Sequence, residues 1–314
     1  MTGDALGNLF AKIREDVADD ATEPAPKPAS SPGARPAGRR TARPRRADAE
    51  HLVEAHDLVE VAPVAPEPSW PVSDPVESAT LDDPALRQRR DAAVEAAVRA
   101  LAPRVKRLLQ DEQNELLDAV RRKKGRGDAV DALDPEAAQV ARWTEAVGPE
   151  VDDLYASGRE LGGGNGRPAP DGLAEQLVSL VVLPLRKRVV ASLESAAREG
   201  ASEDLPALQR LIASAVGARY REWRGQDLAP ALGDLAAWAF ARGVFDATPD
   251  GALMRWVPAE VEQCPDADDN ALEPTRKGRP FPTGQSCPPA HAGCRCLVVP
   301  VPAERADRRG AGGH

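Results

Sequence analysis

The chain is poor in the residues that most often carry chemistry. Aromatic residues make up only 4% of its 314 positions. Leu, Val and Ala must therefore build most of any core. There are 4 histidines, and His51, His56 and His314 fall in segments that read as linker or tail. Only His291 is placed to act as an imidazole base, so general acid–base catalysis by histidine is not expected. A long apolar run is also missing. The longest lies near Val178 to Leu185 and contains Pro184, well short of the ~18 residues that a membrane helix needs. Met1 to Val17 carries Asp4, Lys12, Arg14 and Glu15 and lacks the apolar core of a secretory signal. A cytoplasmic protein is expected, or a virion-associated one if the gene belongs to a phage. In a reducing compartment the 4 cysteines read as thiols or metal ligands, not disulfides. Excess positive charge is absent too. The net charge of -9 excludes generic attraction of the whole molecule to a polyanion.

What is present is helical texture, flanked by low-complexity segments. Residues 1–18 form a short amphipathic pattern in which Leu6, Leu9, Phe10, Ile13 and Val17 recur at helical spacing. It suits a helix that docks into a partner's groove, or one that folds back on the chain's own core. Residues 19–82 are rich in Pro, Ala, Ser and charge and read as a disordered linker. Within it Arg35, Arg39, Arg40, Arg43, Arg45 and Arg46 form a basic block of the kind that can touch nucleic acid or anionic lipid. No aromatic residue interleaves it for base stacking, and acidic residues flank it.

Residues 83–249 are expected to be a helical domain. Val94, Val98 and Leu101 begin a stripe that Val105, Leu108, Leu109, Leu116, Leu117 and Val120 continue. Pro103 between them predicts a kink or a fresh N-terminus. A second helix is expected from Pro135, after an Asp134 cap, to Leu161, with Trp143 and Tyr155 inward. The glycine run at 162–166 follows no strand, so it reads as a loop and not a phosphate cradle. Three more amphipathic helices are expected over 171–198, 204–224 and 228–246. Residues 250–302 change texture, with short strands at Leu253 to Val257 and Leu297 to Val299. Residues 303–314 read as a polar tail. The fold class is therefore mainly α, with a small irregular and β module at the C-terminal end.

All four cysteines and one histidine fall within that module: Cys264, Cys287, His291, Cys294 and Cys296. Zinc takes four sulfur or nitrogen ligands in a tetrahedron, so five candidates compete for four places. Cys294 and Cys296 alternate along an extended chain and face one side. The segment has too few apolar residues to fold by burial alone, and a metal would hold it together. Ordinary buried thiols beside a hydrogen-bonded histidine are the alternative. Arg276, Lys277, Arg279 and Arg295 stand near enough in sequence to offset thiolate charge.

Trp256, the Cys264-Pro-Asp start, Phe281-Pro-Thr-Gly and Pro288-Pro-Ala-His291-Ala-Gly-Cys294-Arg-Cys296 resemble the C-terminal motif of phage Mu F-like minor head, or head morphogenesis, proteins. That motif pairs Cys-x-x-Cys with Pro-Pro-x-His-x-x-Cys-Arg-Cys. Ala267 stands here in place of the second cysteine, and Cys287 precedes the prolines. The resemblance covers about residues 250–300 and implies a non-enzymatic structural protein near the portal of a procapsid, with a structural zinc site. The N-terminal Asn8 to Asp16 and Leu109 to Glu115 segments resemble chromosomal actinobacterial proteins associated with DivIVA-type cell division. That implies, alternatively, a host scaffold or adaptor that kept a phage-derived domain and recruits a protein through Leu6, Leu9, Phe10 and Ile13. Nucleic-acid contact through Arg35 to Arg46 is a third expectation.

Overall fold

The computed structural model describes residues 81–122, 129–260 and 264–301. The expected docking helix, the arginine block and the polar tail lie outside them. The described chain is mainly helical. In order it forms α1 (Asp83–Arg122), a 3-10 turn (Ala129–Ala132), α2 (Glu136–Leu161), α3 (Leu173–Glu199) and α4 (Leu205–Glu222). A π turn (Trp223–Asp227), α5 (Leu228–Ala247), β1 (Leu253–Val257), α6 (Ala267–Ala271), β2 (Thr275–Arg276) and β3 (Leu297–Pro300) follow. No helix among the described residues is long and apolar enough to cross a membrane.

α1 forms because one apolar stripe runs its full length. Leu86, Ala97, Leu101, Val105, Leu109, Leu116 and Val120 are all buried. The Asp82 carboxylate accepts the Ala85 N–H at 2.9 Å, and Arg121 and Arg122 close the last turn, where cations favour the helix dipole. Pro103 does not begin a new helix, since α1 runs through it unbroken. It sits on the exposed face, so the carbonyl that its missing N–H leaves unpaired is open to water. Asp134 does not cap α2, whose N-cap is Pro135 with no side-chain bond. Its carboxylate accepts Arg142 instead. Asp204 does cap α4, accepting the Ala207 N–H at 2.7 Å.

The two helices expected on either side of residue 226 are joined without a loop. The π turn carries the chain from α4 into α5, braced by Arg188. That guanidinium donates to Asp227 at 3.0 Å and lies 5.3 Å over the Trp223 ring.

α5 is the central helix, buried on nearly every side. It crosses α2 closely because glycines face each other there. A Cβ on Gly158 would lie 2.0 Å from the Phe240 carbonyl oxygen, and one on Gly243 2.1 Å from that of Tyr155.

The three strands form one antiparallel sheet in the order β2-β1-β3. Trp256 pairs with Val298 and Val257 with Leu297. This sheet packs on the helices directly. Leu86, Leu161, Phe240 and Val244 share one buried cluster with Val257, Leu297 and Val299. Each such side chain, fully buried, contributes about 1.5–3 kcal/mol.

Candidate metal centre

The ladder between β1 and β3 sets the stage, since Cys296 immediately precedes β3 and thus lies beside the end of β1. Cys294 is placed by a turn: its N–H donates to the His291 carbonyl at 3.1 Å. Gly293 takes φ 78° there, a conformation that a side chain would strain. Cys264 precedes α6 and accepts the Ala267 N–H on its carbonyl at 3.0 Å. α6 in turn holds the 281–285 loop. Asn270 Oδ1 accepts the Thr283 N–H at 3.1 Å and the Thr283 hydroxyl at 3.0 Å, and Asp266 accepts Gln285 at 3.1 Å. Phe281 then meets Trp256 edge-on at 5.0 Å, closing a small core that also contains Ala267 and the three thiols.

In this frame the sulfurs of Cys264, Cys294 and Cys296 all lie within 4.8 Å of one another. They are 7%, 2% and 3% exposed. Backbone amides converge on them: that of Asp266 on Cys264, those of Ala290 and Cys296 on Cys294, and that of Ala259 on Cys296. Such N–H donors favour the thiolate form. Without a cation the sulfurs divide the charge unequally. Cys296 is held below the ordinary thiol value, mainly because the Cys294 thiol donates to it. The indole N–H of Trp256 adds to this; it is buried, with no partner of ordinary hydrogen-bond geometry. Cys294 is pushed up, first by that same bond and then by burial, and Cys264 is pushed up first by burial. Three buried thiols this close ionise together only if a cation joins them.

His291 is half-buried beside the turn. Its Nδ1 lies 2.6 Å from the Ala292 carbonyl oxygen. A carbonyl only accepts, so Nδ1 carries a proton, and in the neutral ring the lone pair is on Nε2. That Nε2 is buried and has no hydrogen-bond partner among the described residues. It falls outside the set of atoms that lie within 4.8 Å of one another. The donor set fits zinc: soft sulfurs and a neutral imidazole whose other nitrogen is held by a carbonyl. Zinc–sulfur bonds of about 2.3 Å put tetrahedral sulfurs roughly 4 Å apart, compatible with the spacing seen.

Cys287 is placed elsewhere. It is buried, with Arg242, Asp246 and Lys277 as its charged neighbours, and burial pushes its thiol up to about 11. Three of the four cations expected to offset thiolate charge, Arg295, Lys277 and Arg276, have other partners. Arg295 donates to Asp234 at 2.6 Å, Lys277 lies 4.8 Å over the Phe245 ring, and Arg276 donates to the Gly251 carbonyl.

Asp234 is the residue that the sequence reading missed. From α5 it accepts the Gly293 N–H at 3.0 Å and the Arg295 guanidinium at 2.6 Å, bracketing Cys294. Gly233 beside it leaves room for that guanidinium; a Cβ there would lie 2.9 Å from Arg295 Nη2. The signal was available, since Asp234 is the one charged residue between Leu228 and Ala241. No family model, no curated protein and no solved structure matches the chain.

Proposed function

We propose that this is a non-enzymatic structural or interaction protein of the phage Mu F-like minor head kind, whose C-terminal module is held together by one structural zinc ion. The carrying observation is the trio of buried sulfurs ringed by backbone N–H donors. Cys264, Cys294 and Cys296 would hold the ion, and His291 Nε2 is the candidate for the fourth place. The bound ion would cross-link two chain segments, the one at Cys264 and the one at Cys294 and Cys296, and neutralise the thiolates. A closed, buried thiolate set suits a structural site, since a catalytic zinc keeps a position open to substrate.

The test is elemental analysis of the purified full chain, wild type beside Cys294→Ser. The expected result is about one zinc per chain, absent from the variant, with the C-terminal module newly open to protease. Zinc-free wild-type protein whose Cys264, Cys294 and Cys296 thiols titrate freely in the native state would refute the reading.

A further inference from the structure

A second polar site lies in the helical body, away from the thiols. Between α1, α2, α3 and α4 is a cavity of about 250 Å³. At roughly 30 Å³ per molecule of liquid water this is space for about eight waters, enough for a compact metabolite. Clefts between helices of a bundle are common ligand sites.

Its polar groups are unevenly satisfied. Arg142 at the rim is already paired with Glu115 and Asp134. Glu112 is buried. Its carboxylate accepts Trp143 Nε1 at 2.9 Å on one oxygen and Gln139 Nε2 at 3.3 Å on the other; Arg142 acts on it through charge, but no cation among the described residues forms an ion pair with it. The amide oxygen of Gln139 accepts Arg186 at 3.0 Å. That bond uses one of the five N–H donors of a guanidinium, and Arg186 makes no ion pair among the described residues. Tyr220 is 2% exposed and lines the same cavity. Its hydroxyl has no hydrogen-bond partner among the described residues, though buried phenols normally find one. One anion and one cation therefore face the cavity without a direct counter-ion, at opposite ends of a single amide. A bare phenol stands with them.

The geometry points to a binding site for a small zwitterion, a free α-amino acid. Its ammonium group would sit at Glu112, and its carboxylate would take the spare donors of Arg186 and the Tyr220 hydroxyl. A simple anion would meet the buried Glu112 carboxylate, and a simple cation would meet Arg186, so each half-ligand is disfavoured. Burial already presses the Glu112 carboxyl upward, and an ammonium in contact would reverse that pressure.

The experiment uses the full-length protein with glycine, L-alanine, L-serine, L-threonine and L-aspartate as probes, and acetate and methylammonium as half-ligand controls. At least one amino acid should raise Tm with concentration and give saturable heat in calorimetry, and neither control should. Tyr220→Phe removes one oxygen and keeps the ring, so it should fold and bind about tenfold more weakly. Arg186→Met should lose binding. No saturable binding by any of the five would overturn the assignment. So would full-strength binding in both variants, which would put the ligand elsewhere, or acetate binding as tightly as the amino acids, which would make this a plain anion site.

Discussion

The helical body and the C-terminal module solve the same problem with different materials. The body buries dozens of aliphatic side chains along four long helices and one central helix. The module has a handful of apolar residues, two of them aromatic, and fills the rest of its interior with thiols. Area burial accounts for the first. It leaves the second short, because three buried thiols contribute little as hydrophobes and would contribute a good deal as ligands. The body should therefore answer to changes in side-chain volume, and the module to changes in ligation.

The largest effect tests the first half of that contrast. Leu185 is fully buried on α3, and Leu185→Ala should lower unfolding free energy by about 2–5 kcal/mol in urea melts. Metal content per folded chain should stay at the wild-type value. Loss of metal along with stability would mean that the two regions are one cooperative unit.

Next comes the joint between them. Asp234→Ala leaves the Gly293 amide and the Arg295 guanidinium without their shared acceptor, at about 1–3 kcal/mol for a buried group so deprived. Because the carboxylate brackets Cys294, metal affinity should fall by about 10–100-fold in a chelator competition, while the helical signal in circular dichroism stays. An unchanged affinity would reduce the clamp to packing.

A smaller effect lies inside the body. Burial raises the Glu112 carboxyl above its ordinary 4.5. The unfolded chain then gives up this proton at lower pH than the folded chain does. Stability should fall as pH rises from about 4.5 through the higher folded value, and be flat in this contribution above it. In Glu112→Gln the difference from wild type should change over that window and nowhere else. A difference that does not vary with pH would show that the carboxyl titrates normally in the fold.

The helices could be read from sequence wherever a stripe of Leu and Val kept its spacing, as along α1 and α3. The strands around Trp256 and Val298 were readable from their β-branched and aromatic content. Pro103 misled because its consequence depends on which face meets water, and that is set by tertiary packing. The turn from α4 to α5 misled because Gly225 and Asp227 read as a break, whereas a π turn carries the chain through them from one helix into the next. At the centre, residue type marked the five metal candidates, but spacing alone could not separate Cys287 from the rest. It stands four residues before His291, an ordinary ligand interval, and only the fold shows its thiol outside the trio, beside Arg242, Asp246 and Lys277.

That separation yields the mildest and most discriminating expectation. Cys287 is buried against Arg242, Asp246 and Lys277, so Cys287→Ala removes one sulfur from a packed wall and nothing from the trio. Stability should drop by about 1 kcal/mol, and zinc per chain should equal wild type. The same substitution at Cys264, Cys294 or Cys296 should reduce the zinc. Equal metal loss at all four positions would mean that the module rearranges around the ion to draw Cys287 in. Retention at Cys287 alone would leave His291 as the one remaining donor of the five candidates, so His291→Ala in the Cys287→Ala background is the variant that then decides the fourth ligand.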